Sequence, residues 1–149
     1  MTKPIYILNG PNLNRLGKRE PEIYGHTTLA EVEAQCFAAA GDFPIVFRQT
    51  NSETQLIEWI HEACDEGSGI IINPAAYTFT SMAIYDALKM FPGPIFELHI
   101  TNVHSREARY HNSLVSQGAT AVIAGLGTNG YRVVLGAMLD LVDSERRFA

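Results

Sequence analysis

The chain has 149 residues, the size of one domain that can bury a sizeable core, and its 46% hydrophobic and 18% charged content is that of a globular protein. The net charge is −5 with no long run of Lys or Arg, which argues against nucleic acid and membrane surfaces as partners. No transmembrane run and no signal peptide precedes the first apolar segment, so the sequence reads as cytoplasmic.

Ile5-Tyr6-Ile7-Leu8 is a short apolar run that predicts a first strand. It opens onto residues 9–25, a polar stretch rich in Gly, Pro and Asn that predicts neither helix nor strand. A loop this long in a compact domain is usually functional, often a lid, and this one carries three Asn, two Arg and a Tyr. Thr28 starts a helix with Glu31 as capping-box partner; Leu29, Val32, Cys36 and Phe37 form its apolar stripe, and Gly41 stops it. Residues 43–47 predict a second strand, with Pro44 at its start where a missing N–H is tolerated. Asn51 or Ser52 caps a second helix whose buried face is Leu56, Ile57, Trp59, Ile60 and Ala63. Ile70-Ile71-Ile72 is a continuous apolar run, the mark of a central parallel strand covered on both faces, and it ends in Asn73-Pro74.

Residues 75–80 form the next loop, and 81–90 a third helix broken by Phe91-Pro92-Gly93-Pro94. Residues 95–100 predict a fourth strand. Residues 101–116 are long and polar, with room for one helical turn. Residues 120–124 predict a fifth strand. Residues 128–143 predict a closing helix with Val133, Val134, Ala137, Met138 and Leu141 facing inward. Cys36 and Cys64 fall inside helical patterns and read as apolar residues of a reducing compartment rather than a disulfide or metal pair.

Strands alternate with helices throughout, which predicts a single α/β domain over residues 1–149 with a five-stranded parallel sheet and helices on both faces. Right-handed crossovers leave few topologies, and the flavodoxin-like order 2-1-3-4-5 fits this size best. Such folds bind ligands beyond the carboxyl ends of their strands. That rule gathers Asn9 and Asn12 after strand one, Asn73 at the end of strand three, and Glu97, His99 and Thr101 at the end of strand four.

Glu97 and His99 are two apart on a strand, so they point to one face. A carboxylate beside an imidazole fixes its tautomer and favours its protonated form, which suits a general acid; the alternative is a satisfied histidine at a strand end. Tyr24 and Arg19 share the lid. A free tyrosine hydroxyl is a poor base at neutral pH, and a guanidinium in contact favours the phenolate. The plainer alternative makes Tyr24 an aromatic anchor for the loop.

Gly125-Leu126-Gly127-Thr128-Asn129-Gly130 matches the dinucleotide fingerprint letter for letter. No further strand follows it to carry a ribose-binding acid, so a tight turn under a closely packed helix is the favoured reading. His61-Glu62 lacks the second His of a zinc motif, and His99, His104 and His111 are not at metal-ligand spacing, so no metal is expected. Of the three lysines, Lys3, Lys18 and Lys89, only Lys18 is near the lid, which argues against an imine mechanism.

These motifs resemble the type II 3-dehydroquinate dehydratase (type II dehydroquinase) family over nearly the whole chain. The resemblance rests on Asn9-Gly10-Pro11-Asn12-Leu13-Asn14, Arg19-Glu20-Pro21-Glu22-Ile23-Tyr24-Gly25, Phe47-Arg48-Gln49-Thr50-Asn51 and Trp59-Ile60-His61-Glu62-Ala63. It continues in Asn73-Pro74-Ala75-Ala76-Tyr77-Thr78, Glu97-Leu98-His99-Ile100-Thr101-Asn102-Val103-His104 and Gly125-Leu126-Gly127. It implies a flavodoxin-like fold, no cofactor, and a homo-oligomer: a dodecamer built as a tetramer of trimers. It implies dehydration of 3-dehydroquinate to 3-dehydroshikimate through an enolate, by anti elimination. In that reaction Tyr24 would be the base, Arg19 its electrostatic support, and Asn12 with a bound water the enolate stabiliser. His99, held by Glu97, would be the acid. Asn73 would contact ring hydroxyls, Ile100 and Thr101 the carboxylate, and Asp86 the site of a neighbouring subunit.

The chain departs from the family at two substrate-contacting positions. Phe79 stands where the family usually has a His, and Tyr110 where it usually has an Arg. The neighbouring Arg109 would replace that Arg only with a backbone shift of one residue. Two other readings therefore stand beside the dehydratase. One is a relative re-tuned to another cyclic hydroxy-keto acid; the other is a non-catalytic binding module.

Overall fold

In the computed structural model, which describes residues 2–144, the apolar runs become one five-stranded sheet. The ends of the domain expected over residues 1–149 lie outside the described residues. The strands are β1 (Ile5–Asn9), β2 (Ile45–Gln49), β3 (Gly69–Asn73), β4 (Ile95–His99) and β5 (Ala121–Ala124). All pair in parallel in the order β2-β1-β3-β4-β5, with Ile5 opposite Ile45 on one side and Gly69 on the other. This is the flavodoxin-like arrangement expected from the alternation of strands and helices.

Alternate residues of the central strands feed two cores. On one face Ile5, Ile7, Ile71 and Leu98 meet Val32 and Cys36 of α2 (Leu29–Ala40) and Val134, Leu135 and Met138 of α5 (Gly130–Val142). On the other, Tyr6, Leu8, Ile70 and Ile72 meet Leu56, Ile60 and Ala63 of α3 (Glu53–Glu66) and Ile84 and Leu88 of α4 (Met82–Leu88). Thr28, Ser52 and Ser81 cap α2, α3 and α4, each accepting from a backbone N–H three residues on. Cys36 is buried and Cys64 half-buried, and both thiols are free. Burial pushes the Cys36 thiol up to about 11.

Several details correct the sequence expectations. β2 begins two residues late, because Phe43 closes a turn onto the Ala40 carbonyl and the Pro44 carbonyl accepts from Ile5 N–H below the first register pair. Phe37 is exposed, and α2 buries Ala40 instead. The inward seam of α5 is Tyr131, Val134, Leu135, Met138 and Leu139, so Val133, Ala137 and Leu141 face out. The lid is not structureless. It holds a 3-10 turn at Leu13–Arg15 and α1 (Pro21–Tyr24), with Pro at the first helical position. Buried Leu13 and Leu16 pin it to the core. Residues 101–116 contain two complete 3-10 turns, Val103–Ser105 and Ala108–Tyr110, and enter a third, Ser116–Gly118.

Candidate active site

The strand tips enclose a cavity of about 120 Å³. Three loops build it. The β1 tip supplies Asn12, Arg19 and Tyr24; the β3 tip supplies Asn73 and Phe79; the β4 tip supplies His99, Ile100, Thr101, Arg106 and Tyr110. The volume is well below the ~300–1,000 Å³ of drug-sized ligand sites, which favours a small single-ring molecule.

Close backbone approach holds the first two loops together. Gly10 N–H donates to the Asn73 carbonyl, and a Cβ on Gly10 would stand 2.5 Å from the Pro74 carbonyl oxygen, so only glycine fits. Asn12 lies in the left-handed region at φ 70, and its N–H donates to Asn51 Oδ1 at 2.9 Å. Gln49 Nε2 donates to the same oxygen and to the Gly10 carbonyl. Asn51 and Gln49 are thus the props of the Asn12 loop, and Ser52 is the helix cap. Ala75 is held at φ 52 beside the cavity, its N–H donated to Asn73 Oδ1.

Asn73 is aimed from behind. Its Nδ2 donates one hydrogen to the Tyr131 hydroxyl at 3.1 Å, which leaves the other for a ligand. The Tyr131 hydroxyl donates in turn to Asn9 Oδ1 at 2.7 Å, and Asn9 Nδ2 donates to the Arg48 carbonyl. Burial holds the Tyr131 hydroxyl protonated far above its usual range. Asn9, expected at the site, is a buried support rather than part of the cavity wall.

The two acid–base pairs expected from sequence sit as follows. The Arg19 guanidinium carbon lies 5.0 Å from the centre of the Tyr24 ring, and Arg19 also pairs with Glu20. Tyr24 packs against the core as well as lining the cavity, so the anchoring position does not take its ring out of the site. His99 Nε2 is 2.5 Å from Glu97 Oε2, both side chains being buried. Glu97 stands behind His99, outside the cavity wall. Asp86 is exposed on α4 and does not line its own chain's cavity.

The third wall is aromatic. The Phe79 ring stacks near His99 with centroids 6.3 Å apart, and Tyr110 meets Phe79 edge to face at 5.4 Å. Arg109 does not turn inward; it is 73% exposed and paired with Glu107. Arg106, which sequence reasoning passed over, lines the cavity with its guanidinium carbon 4.0 Å from the Tyr110 ring centre. The glycine turn at residues 125–130 is tied to β4 by Gly125 N–H to the His99 carbonyl and Gly127 N–H to the Ile100 carbonyl. Those N–H groups are spent on the fold, and the turn lines no part of this cavity. Among the described residues, no three His, Cys, Asp or Glu side chains cluster to hold a metal, and no helix is long and apolar enough to cross a membrane.

Fold and cavity together define a flavodoxin-like α/β protein with a small-molecule pocket at the carboxyl ends of its sheet. The family model for dehydroquinase class II matches residues 3–139. A 3-dehydroquinate dehydratase 2 of Agrobacterium fabrum is 55% identical over 137 residues, covering 91% of this chain and 93% of that protein. A 3-dehydroquinate dehydratase of Hyphomonas neptunium is 51% identical over 146 residues, covering 98% and 99%. The crystal structure of a type II dehydroquinase from Propionibacterium acnes superposes with a TM-score of 0.88 at 44% identity, covering 93% of this chain and 97% of that one. The chain belongs to the class II dehydroquinase family, whose named relatives are dehydratases and hence hydro-lyases.

Proposed function

We propose that the protein dehydrates 3-dehydroquinate to 3-dehydroshikimate through an enolate. The observation that carries this reading is one small cavity lined by Tyr24 with Arg19 and by His99, which Glu97 backs from behind the wall. Tyr24, as phenolate supported by Arg19, takes the proton next to the ketone. Asn12 and a bound water stabilise the charge that grows on the enolate oxygen. His99 has Nε2 committed to Glu97, so Nδ1 is the nitrogen left to protonate the departing hydroxyl. One water is lost; Tyr24 ends protonated and His99 deprotonated, and a proton returns through solvent before the next turnover. Asn73 Nδ2 meets ring hydroxyls, and backbone N–H groups at Ile100 and Thr101 meet the carboxylate. The chemistry calls for no metal and no cofactor. The exposed position of Asp86 accords with a trimer, within a dodecamer, in which it completes a neighbouring subunit's site.

The test is mixing protein with dehydroquinate and following absorbance of the enone product. Enzyme-dependent growth of that absorbance supports the assignment; none, in a protein that instead binds nucleotides by titration, would replace it with a binding module.

The Phe79–Tyr110 wall favours one variation on this reading. Where the family usually places a His and an Arg, the wall offers aromatic faces backed by Arg106. Each lost polar contact to a buried hydroxyl costs ~1–3 kcal/mol. Activity on dehydroquinate is therefore expected to be measurable but weak, chiefly through a raised KM. Phe79→His with Tyr110→Arg should raise kcat/KM. A wild type as efficient as ordinary relatives, with no gain in the double variant, would show that Arg106 and the Tyr110 hydroxyl already compensate.

A further inference from the structure

Glu97 has no exposed surface, and an ionised carboxylate in that position needs a donor for each oxygen. Oε2 faces His99. The Ser116 hydroxyl donates to Oε1 at 2.8 Å. The Ser113 hydroxyl reaches both oxygens, at 3.2 Å from Oε1 and 3.1 Å from Oε2. The Ser113 oxygen meanwhile accepts the N–H groups of Val115 at 3.1 Å and Ser116 at 3.0 Å.

A hydroxyl has one proton and two lone pairs. Both lone pairs of Ser113 are taken by backbone N–H groups, so its proton has only the carboxylate to point at. Ser113 is therefore a fixed donor rather than a free rotor. The turn it closes is seated by fully buried Val115 and carries Ser116 onto the other carboxylate oxygen.

We infer that Ser113 and Ser116 are positioning residues for the acid: they hold the Glu97 carboxylate turned so that Oε2 meets the His99 imidazole. Neither serine lines the substrate cavity. They act through Glu97, which sets the tautomer and aim of His99. Their effect on turnover rests on the dehydratase reading, whereas their effect on the His99–Glu97 hydrogen bond does not.

The experiment uses ligand-free protein labelled at histidine nitrogen. The deshielded ring-proton resonance of the His99–Glu97 bond is assigned by its loss in Glu97→Gln. Ser116→Ala removes one donor and leaves the Ser113-closed turn intact. It is expected to move that resonance and to lower kcat roughly tenfold or more, the change that corresponds to one charge-assisted hydrogen bond, with KM nearly unchanged. Ser116→Thr should restore both. A wild-type resonance and kcat in Ser116→Ala, with or without a fall in Tm, would overturn the inference and leave the serines as turn-formers only. A shifted resonance in a protein whose wild type never turns over dehydroquinate would support the positioning and sink the dehydratase reading instead.

Discussion

Tyr24→Phe is expected to abolish measurable turnover, a loss of ~10²–10⁴-fold or more for removal of a general base, while substrate binding stays largely intact. The ring of Tyr24 packs against the core on the α2–α5 side, and phenylalanine keeps that packing. Only the hydroxyl goes, and with it the atom to which the proposed mechanism assigns the proton abstraction, while the ring keeps its place 5.0 Å from the Arg19 guanidinium carbon. An interaction used only in the transition state lowers kcat and kcat/KM together. Substrate affinity measured by calorimetry should therefore hardly change. A variant that keeps a tenth or more of wild-type turnover would reduce Tyr24 to an anchor of the lid.

His99→Ala should have the second large effect, again ~10²–10⁴-fold in kcat, because in the proposed mechanism it removes the proton donor to the departing hydroxide. It should also lower stability, which Tyr24→Phe should not. Removing the imidazole leaves the buried Glu97 Oε2 with only the Ser113 hydroxyl as partner, and breaking a buried pair by deleting one partner costs ~3–5 kcal/mol. The two losses separate in a double variant. His99→Ala with Glu97→Gln removes the stranded charge, so part of the lost Tm should return while turnover should not. Turnover of His99→Ala within about tenfold of wild type would make the histidine structural.

Much of this architecture was legible in the chain. Ile70-Ile71-Ile72 has no polar break, which is the pattern of a strand covered on both faces, and β3 is buried along its length. Glu97 and His99 are read onto one face by strand periodicity alone. The misreadings have local physical causes. In α5 two stripes compete: Val133, Ala137 and Leu141 are as apolar as Val134, Leu135 and Met138, and the true seam is marked by Tyr131, whose polar tip counts against burial in a hydropathy pattern. The supports of the site were harder. Tyr131 reaches Asn9 across 122 residues of sequence, and Gln49 and Asn51 reach the lid across about 40. No spacing rule encodes such contacts. Ser113 and Ser116 carried a faint signal as two hydroxyls three apart in a long polar loop, and Arg106 none beyond its charge.

The hydroxyl that joins Asn9 to Asn73 belongs to α5, the last helix of more than one turn among the described residues. During synthesis both asparagines emerge long before residue 131 exists. Until α5 docks, two amide side chains at the centre of the sheet lack a partner that only the closing element brings, and β1 and β3 cannot seal their polar tips against water. A chain lacking that helix would retain every residue that lines the cavity and lose the hydroxyl that holds Asn73 Nδ2, keeping only the Ala75 N–H on its Oδ1. The pocket is lined by the first three-quarters of the chain and steadied by a hydroxyl from α5, so its polar floor closes only when that helix docks.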